Sequence, residues 1–348
     1  AWKVVKLLFE KHSPEDIMAR LELKNQIYAV KMSRKREDPS KMIEKIIAIK
    51  NKYMHSSKIT VEDDNNVSFE IIVSENTSVK IILELASRDQ NENHYKFKLL
   101  AKANSNVKYL LVSELESKKA LVEHYFTAER DAKLNLIGGF VSNVIDAKMH
   151  VDLIGEGAEV KMRAIAISSD QNDQKIDVLI VHKAPNTYGD MTNIGIANKQ
   201  GKIVLNGVEK IEKGMKHANA FQTLKGIITS DEAIVEVNPI LLIDEFDVKA
   251  GHGATIGKIE EDALYYLRSG GLTLAEAEKL IINGFLRPVI DEIDDENNEK
   301  SASHYEHLFL NNLHSSQKNR REKWWCDSNS MKNIKTILMP IWMEIQHL

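Results

Sequence analysis

Residues 159–182 read EVKMRAIAISSDQNDQKIDVLIVH and contain two β-prone segments, Glu159–Ile167 and Lys175–His182, on either side of a polar turn. Apolar and β-branched residues dominate both segments, and polar residues fill the turn, as expected for short strands. The same texture extends in both directions, from Lys58 to Ile243. Its other segments are Val67–Val73, Val79–Leu85, His94–Leu100, Tyr109–Val112, Leu121–Thr127, Lys133–Ile137, Ala147–Leu153, Lys202–Val208 and Gly226–Thr229.

The connections between these segments limit the possible architectures. They are rich in Asn, Asp, Ser and Gly, and none carries a convincing helical pattern. A doubly wound α/β sheet is therefore not expected. Many short strands in succession fit either a β-sandwich or a β-solenoid, and the residues alone leave both open.

Both flanks of the β region carry helix signals. Residues 1–57 are predicted to form a helical N-terminal region, since Lys41–Tyr53 has apolar residues at helical spacing. Beyond Gly257 the period changes from strand to helix. Thr273-Leu274-Ala275-Glu276 is a capping box that opens a helix, and Pro288 predicts that this helix kinks or ends near Arg287.

Bulk properties exclude several classes of protein. The 348-residue chain has a formal net charge of −4, which argues against a nucleic-acid binder dominated by phosphate contacts. It has no apolar run of transmembrane length. Its one cysteine, Cys326, excludes an internal disulfide and a multi-thiolate metal site within one chain. We expect a cytoplasmic protein that binds neither nucleic acid nor membrane.

The most distinctive motif is Gly251-His252-Gly253-Ala254-Thr255-Ile256-Gly257. Two glycines flank His252, so we expect a tight turn there that holds the imidazole. Upstream, Asn238-Pro239 is expected to break a strand that resumes as the buried segment Ile240–Ile243. A neutral imidazole can bind iron or move protons, although a histidine of this kind more often only stabilises its turn.

Several motifs occur in a fixed order around His252, and together they resemble the C-terminal signature of the SufB/SufD family, the scaffold subunits of the SUF iron–sulfur cluster assembly machine. They are Val237-Asn238-Pro239, Asp247-Val248-Lys249-Ala250, the motif of residues 251–257, Tyr265-Tyr266-Leu267-Arg268-Ser269 and Asn283-Gly284-Phe285. The form His252-Gly253-Ala254-Thr255 is the one seen in SufD-like members. The resemblance favours the solenoid and implies a right-handed parallel β-helix flanked by helical regions.

The resemblance also implies which residues matter. His252 falls on the motif histidine near the subunit interface and is the leading candidate for iron or cluster assembly, including as a tentative metal ligand. His182, before Pro185-Asn186-Thr187, and His217 are secondary candidates, each more simply explained as a turn residue. Leu224 stands roughly where SufB-type members carry the sulfur-accepting cysteine.

The chain is not expected to be an enzyme. Residues 253–258 superficially resemble a phosphate loop but are one residue short between the glycines, and Ile259 replaces the magnesium-binding Ser or Thr. Without this loop and without the thiol, the isolated chain should neither hydrolyse ATP nor hold a stable cofactor. A transient iron–sulfur cluster at a subunit interface remains compatible with the family.

The family implies two partners, a SufB-like subunit at the end of the β-helix and the SufC-type ATPase on the C-terminal helices, through Leu280, Ile281 and Phe285. Gly270, where the family usually has Arg, leaves details of the ATPase contact open. One alternative is a homodimeric scaffold. Another, from a different class, is a β-helix carbohydrate-active enzyme, but Asp146, Asp152, Glu159 and Asp177 show no regular repeat.

The expected organisation has four parts: a helical region at 1–57, a β-helix core at 58–256, a helical region at 257–295, and a divergent tail at 296–348. The tail is polar and does not resemble the family, so Cys326 is expected to be passive there.

Overall fold

Seventeen β-strands and then two helices follow one another along the part of the chain that the computed structural model describes, which is residues 28–32, 43–49, 55–62, 66–88 and 91–291. The strands are β1 (Tyr28–Met32), β2 (Ile43–Ile49), β3 (His55–Glu62), β4 (Asn66–Val73), β5 (Ser78–Ser87), β6 (Glu92–Ala101), β7 (Asn106–Leu115), β8 (Lys119–Ala128), β9 (Lys133–Phe140), β10 (Val144–Leu153), β11 (Glu159–Ser168), β12 (Asp173–His182), β13 (Tyr188–Ala197), β14 (Lys202–Ile211), β15 (Asn219–Ile228), β16 (Ile234–Ile243) and β17 (Lys249–Lys258). The helices are α1 (Glu261–Ser269) and α2 (Leu274–Asp291).

The strands wind into a parallel β-solenoid. The odd-numbered strands pair in sequence order to form sheet A, and the even-numbered strands form sheet B in the same way. Each strand is parallel to the one two positions along the chain, so consecutive strands lie in different sheets. Val144 aligns with Asp173 and Asp173 with Lys202, which makes a coil of 29 residues there. The prediction of a parallel β-helix is confirmed, and the β-sandwich alternative is wrong.

The core lies between the two sheets because side chains alternate between the faces of each strand. In β10, Met149 and Val151 are buried, while the alternate residues Lys148 and His150 face outward and are partly exposed. Aligned positions of stacked coils bring like residues together, and the rings of Phe69 and Phe97 stack with centroids 5.6 Å apart. Successive coils therefore contribute layers to the main apolar interior, and Ile211, Ala218 and Ala220 form a small separate cluster.

One edge of the solenoid is a stack of turns in the left-handed backbone conformation. The residues with positive φ there are Asn76, Asn104, Asp131, Gly157, Asn186 and His217. Each donates its backbone N–H to a carbonyl of the next coil, as Asn104 does to Arg130 at 2.8 Å. Asn and Asp tolerate this conformation better than most residues, which explains the polar turns seen in the sequence.

The exteriors of the two sheets differ. The outer face of sheet A carries buried apolar side chains, which we call the outer apolar rows. Their members are Ile82, Leu110, Val112, Ile137, Val141, Ile165, Ile167, Ile194, Ile196 and Ile227. Ile282 of α2 packs into the same cluster. Sheet B instead carries an outer polar row, in which Lys96, Glu123, Lys148, Asp177, Asn206 and Asn238 align across successive strands. The apolar exterior of sheet A therefore packs against α2, whereas the polar exterior of sheet B can face water.

The structure corrects some local predictions. The helix expected at residues 41–53 is wrong, because Ile43–Ile49 forms β2 and pairs with β4. Asn238-Pro239 does not break a strand, since β16 runs through both residues to Ile243. The second helix does not end near Arg287 but continues to Asp291. The sequence also missed β13, whose Gly189 and Gly195 are poor strand formers.

Helix α2 begins as predicted, and a glycine pair follows α1. Gly270 follows the last residue of α1, and Gly271 has φ +98°. The capping box of α2 is formed, with the Thr273 backbone N–H donating to Glu276 Oε2 at 2.8 Å. Strand β17 reaches Lys258, slightly beyond the expected core boundary, and the tail with Cys326 lies outside the described residues. Among the described residues, no helix combines the length and apolarity that a membrane crossing requires.

Candidate functional site

The C-terminal end of the solenoid is open. Strand β17 is the last of sheet A and β16 the last of sheet B, so in the described part of the chain each is paired on one side only. Apolar side chains are exposed around this end, including Ile240 (43%) and Leu242 (49%). The segment Ile240–Ile243 was expected to be buried, but Ile240 and Leu242 align with the outward residues Val208 and Lys210 of β14. They therefore lie on the outer face of sheet B at its last described strand, which explains their exposure. Fully exposed Phe246 follows in the next turn.

His252 lies at this open end, within β17 rather than in a turn. Gly251 and Gly253 are strand residues, and neither has the positive φ that a left-handed turn would need. His252 aligns with Gln222 of β15, which is buried and faces the interior. Since aligned residues of parallel strands point to the same side, exposed His252 lies on the interior side of the last coil, at its mouth.

The layer beneath His252 has no thiol. Leu224, which stands roughly at the position of the SufB-type cysteine, is fully buried and aligns with Ala254. Gln222 donates from Nε2 to the Ile240 carbonyl at 2.8 Å and so ties sheet A to sheet B. Its Oε1 is buried without a hydrogen-bond partner. An apolar side chain and an amide therefore occupy the place where a sulfur acceptor would be expected.

His217 is a turn residue on the solenoid edge. It has φ 60° and donates its backbone N–H to the Asp247 carbonyl at 2.6 Å. Its Nδ1 lies 3.4 Å from Asp247 Oδ2, and both side chains are mostly exposed. An exposed pair of this kind contributes little stability. The contacts favour the turn interpretation of His217 over a role in iron binding.

His182 closes β12 before the turn that contains Pro185, as predicted, but its side chain has no exposed surface. Nδ1 lies 2.7 Å from Thr187 Oγ1, and Nε2 lies 3.3 Å from Glu209 Oε2. Burial lowers the pKa of His182 to about 4. Both ring nitrogens are engaged and closed off from solvent, so we leave His182 out of the proposed iron site.

Sequence reasoning missed Glu209, which is fully buried beside His182. Burial, and secondarily the charge of Asp190, raises the pKa of Glu209 well above its usual range. The available signal was the inward register of β14, where Ile203, Leu205, Gly207, Glu209 and Ile211 alternate with outward residues. A carboxyl group at such a position is rare unless it has a partner.

A second buried histidine, His124 of β8, was also missed. It donates or accepts at Nε2 with the Tyr109 hydroxyl at 2.9 Å, and its ring stacks on Phe97 with centroids 4.8 Å apart. Burial lowers its pKa to about 3. The inward register of β8 again carried the signal, because His124 follows Val122 and precedes Phe126 at strand spacing.

Helix α2 has a buried side and a partly exposed side. Ala277 and Ile282 are buried, whereas Leu280 and Ile281 are partly exposed. The side chain of Phe285 lies outside what the structure describes. Helix α1 buries none of its residues, and Tyr265 and Tyr266 are exposed. Among the described residues, no group of three or more His, Cys, Asp or Glu side chains is placed to hold a metal ion.

The geometry first defines a class, a parallel β-solenoid that ends in two unpaired strand edges and is followed by a helix pair. The family model for the SufBD core domain of SUF-system iron–sulfur cluster assembly matches residues 59–285. That is more than half of the chain, which therefore belongs to the SufBD family.

Curated relatives agree with this placement and favour a SufD-like member. The chain is 36% identical over 142 residues to the iron–sulfur cluster assembly protein SufD of Bacillus subtilis. The aligned segment covers 41% of this chain and 32% of that protein. It is 26% identical over 197 residues to a SufBD family protein of Mycobacterium bovis, covering 56% and 23%. A SufBD family protein of Staphylococcus epidermidis is 28% identical over 141 residues, covering 40% and 30%. The matches thus span about a third or less of each relative's length.

Proposed function

We propose that this chain is a SufD-like scaffold subunit that has no turnover chemistry of its own and that pairs with another subunit through the open end of its solenoid. The observation that carries the proposal is that end. The edges of β16 and β17 expose backbone hydrogen-bonding groups together with Ile240 and Leu242. Natural proteins cover or blunt such edges, because exposed edges otherwise promote aggregation. A partner subunit would satisfy both the hydrogen bonds and the apolar surface.

Two occupants fit this end, a SufB-like subunit and a second copy of the chain. The SufB-like subunit is favoured because the interior layer here holds Leu224 rather than a thiol. A scaffold that receives sulfur needs a thiolate, and a SufB-like partner would bring it. Iron and sulfide would then meet at the junction as cargo, in the reducing cytoplasm.

His252 is the residue that this chain would contribute to the junction. It is exposed and lies on the interior side of the last coil, so a partner placed over the end would face it. An imidazole there can act as a ligand to iron or as a proton acceptor. We propose this role for His252 alone among the three histidines, because His182 is enclosed and His217 is tied to its turn.

The helix pair is the proposed docking surface for a SufC-type ATPase. Ala277 and Ile282 hold α2, which leaves Leu280 and Ile281 accessible, and α1 presents Tyr265 and Tyr266 beside it. At an interface a few anchors that become buried dominate binding, at about 2 kcal/mol or more each, and Tyr is among the residues enriched there. Leu280→Asp should abolish ATPase binding and leave the thermal midpoint of the free chain nearly unchanged. Binding that survives would place the ATPase elsewhere.

The open end is tested with Leu242→Asp. A buried carboxylate at the junction should prevent the subunit pair from forming in size-exclusion chromatography with a SufB-like partner. The matched control is Ile154→Asp, which alters a similarly exposed residue (45%) in the turn between β10 and β11 and should leave the complex intact. Sedimentation velocity of the chain alone shows whether a second copy takes the same place. Wild-type pairing by Leu242→Asp contradicts the proposal.

His252 is tested separately with His252→Asn. The complex should still form, because the change is small and exposed, but cluster transfer to an apo-acceptor should stop at equal ATPase rate. His252→Cys should restore part of the transfer, since a thiolate is a good ligand for iron–sulfur species. Wild-type transfer by the Asn variant would leave His252 with a structural role only.

A further inference from the structure

The hydrogen bonds around His182 have a fixed direction. Thr187 Oγ1 lies 3.0 Å from the Ala184 carbonyl and must donate its hydrogen there, because a carbonyl only accepts. Thr187 Oγ1 then accepts from His182 Nδ1 at 2.7 Å. The proton of the neutral imidazole is therefore on Nδ1, and Nε2 presents a lone pair.

That lone pair faces Glu209 Oε2 at 3.3 Å. Two protonation states fit this contact, a carboxylic acid that donates to neutral imidazole, or a carboxylate that accepts from imidazolium. Both side chains are fully buried, and Glu209 Oε1 has no hydrogen-bond partner. A buried carboxylate with an unsatisfied oxygen is costly, so the neutral pair is the stable state.

The surroundings keep water and opposite charge away from the pair. A Cβ on Gly189 would lie 2.9 Å from His182 Nε2 and 3.0 Å from Glu209 Oε2, so only glycine leaves room for the contact. The other charged group that acts on Glu209 is Asp190 of β13, whose Oδ2 is 2.7 Å from Arg163 Nη2 of β11.

The remaining neighbours are uncharged at the aligned positions. Leu241 of β16 lies beside Glu209, and Ala220 of β15 lies beside Gly189. No cation stands at these aligned positions to offset the burial of a carboxylate at position 209, and Lys225 of β15 is an outward residue of that strand.

We propose that His182 and Glu209 form a hydration switch inside the coils next to the open end. In the closed, dry coil one proton is bound to Glu209 Oε2 and hydrogen-bonds to Nε2. In water the imidazole is the stronger base, with a pKa of about 6.5 against about 4.3 for the carboxyl group. Water entry therefore moves the proton from Oε2 to Nε2, and a neutral pair becomes an ion pair.

The switch would couple opening of the late coils to charge. Glu209 is in β14, which pairs directly with β16, the terminal strand of sheet B. Separation of β16 from β14 would expose the pair, and the resulting charges would oppose closing until water leaves again. This inference does not depend on the proposed role in cluster assembly, and its tests use the isolated 348-residue chain.

The pH dependence of unfolding gives the first test. Between about pH 4.5 and 6.5 the pair holds one proton in each state, on Glu209 when folded and on His182 when unfolded. The pair therefore does not change the free energy of unfolding with pH in this range. Above pH 6.5 the unfolded state loses its proton and the folded state keeps one. The folded carboxyl has a raised pKa, so its stabilisation is lost as pH rises. The unfolding constant should increase about tenfold per pH unit there.

Glu209→Gln is the decisive variant, because the amide still donates to Nε2 but cannot titrate. Above pH 6.5 the variant should lose the tenfold increase in the unfolding constant per pH unit that the wild-type pair contributes. Glu236→Gln changes an exposed glutamate of β16 and should leave the slope unchanged. Equal slopes for wild type and Glu209→Gln would overturn the proposal.

Spectroscopy of the wild-type chain keeps the proposal testable if Glu209→Gln fails to fold. Carbon-13-edited infrared spectra at neutral pH should show the carbonyl stretch of a protonated buried carboxyl group. Nitrogen-15 shifts of His182 should report a neutral ring protonated on Nδ1. An imidazolium signal from His182, or the absence of a protonated carboxyl band, would show that the pair is already charged in the closed coil.

Discussion

The middle coils and the last coils of the solenoid use the same strands but differ in what fills and covers them. Around β8 the interior is aromatic, with His124 stacked on Phe97 and closed by coils on both sides. Around β14 the interior contains His182 and Glu209, and two strands later the sheets end. The difference teaches that the same coil geometry accepts a layer of stacked rings in the middle and a buried His–Glu pair next to the open end.

The largest expected effect is on the free energy of unfolding, when the same Leu→Ala substitution is made in a middle coil and at the open end. Leu136→Ala removes a fully buried side chain of β9 and should lower the free energy of unfolding by about 2–5 kcal/mol, because a cavity is left. Leu242→Ala at the open end, where the side chain is half exposed, should cost less than about 1 kcal/mol. Denaturant titration of both variants measures the contrast. Similar losses would mean that the end is covered as tightly as the middle.

The next expected effect concerns His124, the buried histidine of the middle coils, compared with the pair near the open end. The folded pKa of His124 is lowered to about 3, so the unfolded state binds the proton more readily, and stability is lost as pH falls from about 6.5 towards 3. The loss should be about 1.4 kcal/mol per pH unit. Substituting both members of the hydrogen bond, Tyr109→Phe with His124→Phe, should remove that acid sensitivity and leave the alkaline slope attributed to Glu209. Thermal melts across the pH range test this, and an unchanged acid slope would contradict it.

The smallest expected effect is on the outer polar row of sheet B. Glu123 accepts from His94 at 3.0 Å and lies 3.7 Å from Lys148, and the basic partners are partly exposed. Glu123→Gln should change the free energy of unfolding by no more than about 1 kcal/mol. The matched contrast is Ile165→Asn in the outer apolar rows of sheet A, which are buried and should respond more strongly. Equal responses would remove the distinction between the two exteriors.

The sequence predicted the middle coils well, because their strands are rich in apolar and β-branched residues and polar turns separate them. Glu159–Ile167 and Lys175–His182 fall within β11 and β12. The prediction failed at both ends of the solenoid. In β2 the isoleucines of the segment 43–49 fit a helical spacing as well as a strand, and only pairing with β4 decides between them.

The missed strand β13 lies beside the missed carboxyl group, and one cause explains both. Gly189 weakens the strand pattern but leaves the space that His182 and Glu209 share. A local rule was thus broken where two buried polar groups had to meet. For the proposed site, His252 could be selected from its motif, but its position in a strand depends on alignment with Gln222, which no local pattern contains.

The strand-by-strand alignment of coils has a consequence for how chains of this kind can change length. A single inserted codon within a strand would turn every later side chain of that strand to the opposite face. Duplication of a whole coil, from Val144 to Asn172 for example, would instead restore every alignment beyond it, including the turn in which Asn186 takes φ 58°. The strands are therefore expected to change in number by whole coils, whereas the turns absorb smaller differences, since Leu121 aligns with Asp146 and Gly207 with Pro239, offsets of 25 and 32 residues.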